Sequence, residues 1–277
     1  MSTIHTNPQG RSGTAVKDPK RTAKLEHWIS KRVGQAMTDF AMLDEGDRIL
    51  VAISGGKDSL TLLKVLKARQ KRVPIRHEII ALHVLSNYTC GGADNEEDLR
   101  QFCRGIDVEY HMAPLNISLD MGQKKIGLNC FWCSWNRKKV LFEWADRLGC
   151  KKVALGHHKD DIIETTLMNL LFQGEISTMV PKQSFFDGRI LIIRPLCYVE
   201  EDMIRAYARA SGFVDSFCNC PAGRQSNRKR IRDIIEHMKR ICPGVKNNIF
   251  YAPGRINSEY LPRFGKIPPA GTPTTGE

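Results

Sequence analysis

Residues 54–59 read Ser-Gly-Gly-Lys-Asp-Ser, and they follow directly on the apolar run Ile49-Leu50-Val51-Ala52-Ile53. That run is rich in β-formers and predicts a buried strand. Two glycines after a buried strand let the backbone turn sharply and approach a ligand closely. The next residues, 60–66, read as a helix. A glycine turn that opens a helix points unpaired N–H groups and the positive end of the helix dipole at an anion. The hexapeptide therefore suits a phosphate or pyrophosphate. It matches neither the Gly-x-x-x-x-Gly-Lys-Ser/Thr loop nor the Gly-x-Gly-x-x-Gly dinucleotide turn. The plain alternative is an ordinary glycine turn before a helix.

The rest of the chain repeats the strand-then-helix alternation. Apolar runs at 78–84, 108–112, 152–156 and 189–193 predict further strands. Helical spacing covers 60–69, 95–103 and 135–148. It also covers 24–40, where Leu25, Trp28, Ile29, Val33, Ala36, Met37 and Phe40 share a face. This alternation predicts an α/β fold with a parallel sheet covered on both faces. Ligands of such sheets bind at the carboxyl ends of the strands. One edge should then carry Ser54–Ser59, the segment after His83, and Gly156–Asp161. From residue 200 the pattern turns helical and basic. The expected organisation is a disordered stretch over 1–23, an N-terminal helix over 24–45 and a catalytic domain over 46–199. A basic helical region over 200–266 and a flexible tail over 267–277 follow.

The chain's 277 residues carry a formal net charge of +12, which favours a polyanionic partner. The basic residues cluster at 17–32, at Arg137-Lys138-Lys139, and from Arg224 to Arg240. Within the last cluster, Asn227-Arg228-Lys229-Arg230-Ile231 opens a helix with one apolar and one basic face. Lys and Arg contacts to phosphates supply most sequence-independent nucleic-acid affinity. No run of eighteen apolar residues is present, so no membrane span is expected. The N-terminal segment lacks the apolar core of a secretion signal, and the expected location is the cytoplasm. In a reducing compartment the nine cysteines favour metal binding or catalysis over disulfides.

Two further motifs carry chemistry. Gly156-His157-His158-Lys159-Asp160-Asp161 follows the predicted strand at 152–155. Two carboxylates at a strand end beside a triphosphate site could hold Mg²⁺ or orient reacting groups. They could equally be helix-capping residues. Cys130-Phe131-Trp132-Cys133 is the second motif. A two-residue gap lets both sulfurs face one centre, as in a redox dithiol or half a zinc site, and two ordinary core cysteines are the plain alternative. The neighbouring positive charges would favour thiolates. Cys218-Asn219-Cys220 lies about ninety residues on, so either a four-cysteine zinc site or a three-cysteine cluster with one open iron is possible. Cys90, Cys103, Cys150, Cys197 and Cys242 are isolated and read as small buried side chains.

Ser-Gly-Gly-Lys-Asp-Ser resembles the PP-loop of the ATP pyrophosphatases, and Gly-His-His-x-Asp-Asp is similar to a second hallmark of one branch. Add Cys130-x-x-Cys133 followed by Arg137, then Ile193-Arg194-Pro195-Leu196, then a late cysteine before a basic helix. In this order, over roughly residues 24–251, the chain resembles the tRNA 2-thiocytidine synthetase (TtcA-like) family. The related thiouridine synthetases carry Cys-x-x-Cys zinc knuckles at both ends. None occurs here before Cys130 or after Cys220, which favours the cytidine branch.

The resemblance implies ATP, Mg²⁺ and a [4Fe-4S] cluster as cofactors. It implies ATP binding by Ser54, Gly55, Gly56, Lys57, Asp58, Ser59, His83 and Gly156. Asp58 and Asp161 would contact Mg²⁺ and position the reactants. Cys130, Cys133 and Cys220 would ligate the cluster, with Cys218 as the alternative third ligand and Cys220 also catalytic. Arg137, Arg228, Lys229 and Arg230 would grip tRNA. The implied reaction adenylates the C2 oxygen of an anticodon-loop cytidine and replaces it with sulfur. The partners implied are tRNA, a sulfur donor such as a cysteine desulfurase, and a second copy in a homodimer. Two competing readings are another PP-loop thiolase or ligase acting on a different base or a small molecule, and a zinc-stabilised RNA-binding protein without catalysis.

Overall fold

The computed structural model describes residues 18–86, 96–115, 130–213 and 227–262. Cys90, Cys218, Cys220, the side chain of Cys130, residues 1–17 of the expected disordered stretch 1–23 and the whole expected tail 267–277 lie outside these residues. The described chain runs α1 (Pro19–Asp39), β1 (Asp47–Ile53), α2 (Lys57–Gln70), β2 (His77–Ser86), α3 (Glu96–Gly105) and β3 (Glu109–Leu115). It continues with α4 (Cys130–Arg147), β4 (Lys152–Ala154), α5 (Lys159–Gln173), β5 (Lys182–Phe185), β6 (Ile190–Ile193), α6 (Glu201–Ser211), α7 (Asn227–Ile241) and α8 (Val245–Tyr251).

The six strands form one sheet in the order β3-β2-β1-β4-β6-β5. All pairings are parallel except β5 with β6. The α/β expectation therefore holds, with one antiparallel edge strand that the apolar pattern did not reveal. Lys182-Gln183-Ser184-Phe185 is mostly polar, as an edge strand with one solvated face can be. Its link to β6 is a turn in which Phe186, Asp187 and Gly188 all have positive φ. The Asp-Gly pair is the sequence mark of such a hairpin.

Side-chain alternation along β1 divides the core between the two faces of the sheet. Ile49, Val51 and Ile53 pack with α1, α2 and α6, through residues such as Val33, Leu62 and Ile204. Leu50 points the other way and packs with Leu141 and Ala145 of α4. A fully buried leucine of this kind gains about 1.5–3 kcal/mol from leaving water. Helix α6 thus shares its core with the N-terminal helices. Helices α7 and α8 rest on α5, where Ile231 and Ile235 meet Ile163 in a small separate cluster.

Helix α1 starts at Pro19, five residues ahead of the expected Lys24. Asp18 caps it by accepting the Arg21 N–H at 3.0 Å, and Pro19 at the first helical position is pre-set for helical φ. The apolar spacing could not show this polar first turn. Among the described residues no helix is long and apolar enough to cross a membrane.

Candidate active site

Two strand-to-helix junctions meet at the carboxyl edge of the sheet, where β1 leads into α2 and β4 leads into α5. At the first, Gly55 adopts φ +80°, a conformation that disfavours any side chain. Gly56 is the N-cap of α2 and offers no side-chain cap. The turn is held from inside by its serines. The Ser54 N–H donates to Ser59 Oγ at 3.1 Å, and Ser59 Oγ donates to the Gly56 carbonyl at 2.9 Å. Ser54 Oγ in turn accepts from the Gly56 N–H at 3.4 Å. Ser59 is buried and braces the loop, and the first backbone N–H groups of α2 have no acceptor within the helix.

Lys57 and Asp58 open the helix. The Lys57 ammonium lies 3.2 Å from Asp58 and 3.1 Å from Glu201. Burial pulls the Lys57 pKa down, but the two carboxylates outweigh it and the net shift is upward. Asp58 moves the other way from an ordinary carboxyl. Burial raises its pKa more than His158 and Lys57 lower it. Its Oδ1 is buried without a hydrogen-bond partner, and His158 Nε2 lies 3.9 Å from it. A buried carboxylate oxygen left without a donor is the kind of atom a divalent cation would satisfy.

The second junction is closed. Asp161 Oδ2 accepts the His158 N–H at 3.0 Å, and the Lys159 N–H donates to the Val199 carbonyl at 3.0 Å. Asp161 is therefore a capping residue, as one of the two sequence readings allowed. Its other oxygen lies 3.6 Å from an Arg228 nitrogen. Burial raises the Asp161 pKa, but His158, His157, the His158 N–H and Arg228 outweigh it, so it stays ionised. His157 shifts down chiefly through burial, and Arg194 Nε donates to its Nδ1 at 3.4 Å. This gives a local role to the arginine of Ile193-Arg194-Pro195-Leu196, a stretch the sequence singled out without assigning one.

The remaining predicted residues divide. Gly156 has a packing reason to be glycine. A Cβ there would lie 3.1 Å from the Ser59 nitrogen and 3.2 Å from the Asp58 carbonyl carbon. The β4–α5 turn is thus pressed against the first turn of α2. His83 is buried, pairs in register with Ile53, and its Nδ1 lies 2.9 Å from the Ile53 carbonyl. It pins the last strand residue before the loop. Its pKa is lowered first by burial, with a further contribution from Arg137. Arg137, half-buried on α4, therefore lies within electrostatic reach of this edge. Residues 130 and 133 stand one turn apart at the start of α4, on one face of the helix. Cys133 is half-buried.

On α7, Arg228 and Arg232 turn inward to Asp161 and Glu164, the latter at 2.6 Å. Lys229 and Arg230 are exposed. A residue missed by the sequence reading is Glu201. The sequence does carry a sign of it, the acidic run Glu200-Glu201-Asp202 starting a helix just after Pro195-Leu196.

A parallel sheet whose first strand passes through Ser-Gly-Gly-Lys-Asp-Ser into an uncapped helix defines a PP-loop nucleotide-binding domain. The family model for the PP-loop domain matches residues 25–238. The chain is 36% identical over 255 residues to the tRNA-cytidine(32) 2-sulfurtransferase of Delftia acidovorans, covering 89% of this chain and 79% of that one. It is 37% identical over 238 residues to the protein of the same name from Geotalea uraniireducens, covering 84% and 93%. Among solved structures it superposes on the U34-tRNA thiolase NcsA from Methanococcus maripaludis with its [4Fe-4S] cluster. There the TM-score is 0.68 at 22% identity, over 92% of this chain and 85% of that one. That likeness speaks for the fold. The chain belongs to the tRNA 2-thiocytidine synthetase (TtcA-like) family of PP-loop ATP pyrophosphatases, a family of transferases.

Proposed function

We propose that this chain adenylates the C2 oxygen of an anticodon-loop cytidine in tRNA and exchanges that oxygen for sulfur. The observation that carries the reading is the uncapped N-terminus of α2 beside the partnerless Asp58 Oδ1. The first would cradle pyrophosphate and the second would take the accompanying Mg²⁺. Relatives at 36–37% identity are named for thiolation of cytidine 32, which supports the same nucleotide here.

The N–H groups at 57–59 would hold the β- and γ-phosphates, with Lys57 neutralising charge on the leaving pyrophosphate. Asp58 and Asp161 would supply the one or two carboxylates that Mg²⁺ takes when phosphates provide its other ligands. The C2 oxygen bonds to the α-phosphorus, the bond to the bridging oxygen breaks, and pyrophosphate departs with the electron pair. An unreactive oxygen thereby becomes part of an AMP leaving group. Catalysis of such a transfer is positioning and charge stabilisation. An anticodon loop lets the cytidine unstack at low cost. His83 and Gly156 would act on ATP through the loop they hold. Lys229 and Arg230 are placed to meet tRNA phosphates, while Arg228 and Arg137 face the catalytic edge.

Cys130 and Cys133, with Cys220 or Cys218, would hold a [4Fe-4S] cluster. The one-turn spacing of 130 and 133 at the positive end of α4 fits thiolate ligands. When bound, such a cluster with one iron not ligated by cysteine supplies a site for the incoming sulfur. The test is anaerobic purification with iron, sulfide and zinc analysis, then thiolation of tRNA read by nucleoside mass spectrometry. About four irons and four sulfides per chain, lost in Cys220→Ala, together with 2-thiocytidine formation, are expected. Bound zinc without iron, or no thiolated cytidine, would overturn the proposal.

A further inference from the structure

We infer that Glu201 is a positioning residue of the nucleotide site, holding the Lys57 ammonium where pyrophosphate leaves. Glu201 is the first residue of α6, outside both loops that carry the recognisable motifs. Its carboxylate is 3.1 Å from Lys57 Nζ, which also lies 3.2 Å from Asp58. Lys57 is thus held by two carboxylates, and a lysine side chain with four rotatable bonds needs such partners to be pre-placed.

Glu201 is itself fixed. Its N–H donates to Asp160 Oδ2 at 2.7 Å, so the second motif caps the helix that presents it. Asp160 Oδ1 in turn takes Lys246 of α8 at 2.5 Å. The oxygen that meets Lys57, Glu201 Oε1, also accepts from Arg205 at 2.9 Å, one turn along the helix. The side chain is 19% exposed, and it lines a cleft of about 320 Å³ between α5, α6 and α7. Burial raises its pKa but Lys57 outweighs this, so the carboxylate stays charged. One line of contacts therefore runs from the phosphate-loop lysine through α6 and Asp160 to the C-terminal helices.

During adenylation the α–β bridging oxygen gains charge as its bond to the α-phosphorus breaks. An ammonium already aimed there needs no reorganisation. Glu201 supplies no proton and touches no reacting atom; it acts through Lys57. This inference rests on the proposed adenylation, and its test is a double-mutant cycle on the full chain. Two readouts are taken, RNA-dependent pyrophosphate release from ATP and calorimetric binding of α,β-methylene-ATP.

Glu201→Ala should lower the pyrophosphate-release kcat about 10-fold and weaken analogue binding about threefold. Glu201→Gln keeps an oxygen for the lysine to donate to and should recover most of both. In a Lys57→Ala background Glu201→Ala should have no further effect on either. Asp202→Ala removes a neighbouring first-turn carboxylate and should match wild type. Equal losses with and without Lys57, an Asp202→Ala loss as large as that of Glu201→Ala, or no loss in Glu201→Ala would each overturn the inference. If wild type released no pyrophosphate with any RNA, the adenylation reading would fall, and the binding cycle would still decide whether Glu201 acts through Lys57.

Discussion

The starts of α2 and α5 occupy the same kind of place, the end of a parallel strand, yet they are finished in opposite ways. At α2 the cap is Gly56 with no side chain to offer, and the neighbouring Asp58 keeps a buried oxygen without a donor. At α5 the first N–H groups are already taken, by Asp161 and by the Val199 carbonyl. Each α5 acid also has a base from the C-terminal helices: Asp160 with Lys246, Asp161 with Arg228, Glu164 with Arg232. An unsatisfied helix end can bind an anion; a satisfied one has no free N–H to offer it. The comparison fits the proposed binding of pyrophosphate at the first junction. Gly156 joins them, because a side chain there would push into the backbone of α2.

Removing the charge at the open junction should have the largest effect. Lys57→Ala is expected to lower pyrophosphate release about 100-fold or more, in the range seen when one transition-state donor is lost. Its melting temperature should fall by only a few degrees, through the half-buried Asp58 and Glu201 carboxylates that lose their partner. A variant that melts early and keeps its activity would contradict the proposed binding at the first junction.

Asp161→Asn probes the closed junction. The amide oxygen can still accept the His158 N–H, so the cap persists and the melting temperature should move by only a few degrees. The lost charge should lower the rate about 10-fold if Asp161 also helps hold Mg²⁺. High Mg²⁺ should then recover part of the rate. An unchanged rate would confine Asp161 to capping.

The acid limb of stability gives a third test. Asp160 is raised by burial but lowered further by Lys246, and its net pKa lies below 3.8. The group therefore binds protons more readily unfolded than folded. Its contribution is complete above pH 3.8 and is lost as pH falls through the lower folded value. Lys246→Ala should lower the melting temperature at neutral pH, and the gap from wild type should close as pH drops below that range. A gap independent of pH would mean that Lys246 acts through packing.

The smallest effect belongs to the outer face of α7. Lys229→Ala or Arg230→Ala should weaken tRNA binding a few-fold and reduce its salt slope by about one. Arg228→Ala should leave that slope unchanged, because its guanidinium faces Asp161. A reduced slope in Arg228→Ala would place it on the tRNA surface with the other two.

Much of this edge was legible because it is local in sequence. A buried strand, a glycine turn and a helix are written within twenty residues at 49–66, and the fold class follows from repeating that pattern. What was hidden depends on contacts far apart in the chain. Residues 57 and 201 meet across a long stretch of sequence, and nothing in their spacing shows it. The inward turn of Arg228 and Arg232 is invisible for a related reason. A basic helix shows its charge in sequence, and only the acids of α5 decide which of those charges face inward. The polar β5 strand was missed because it has no apolar run, although its Asp187-Gly188 turn was there to be read.

The most direct test of the account is the bond that breaks in ATP. The full chain should be given an anticodon stem-loop with cytidine or uridine at position 32, with the sulfur donor withheld, and the products followed by mass spectrometry. The account predicts pyrophosphate and an AMP-modified RNA with cytidine and neither with uridine. Release of ADP and phosphate, or pyrophosphate release indifferent to the base, would contradict it.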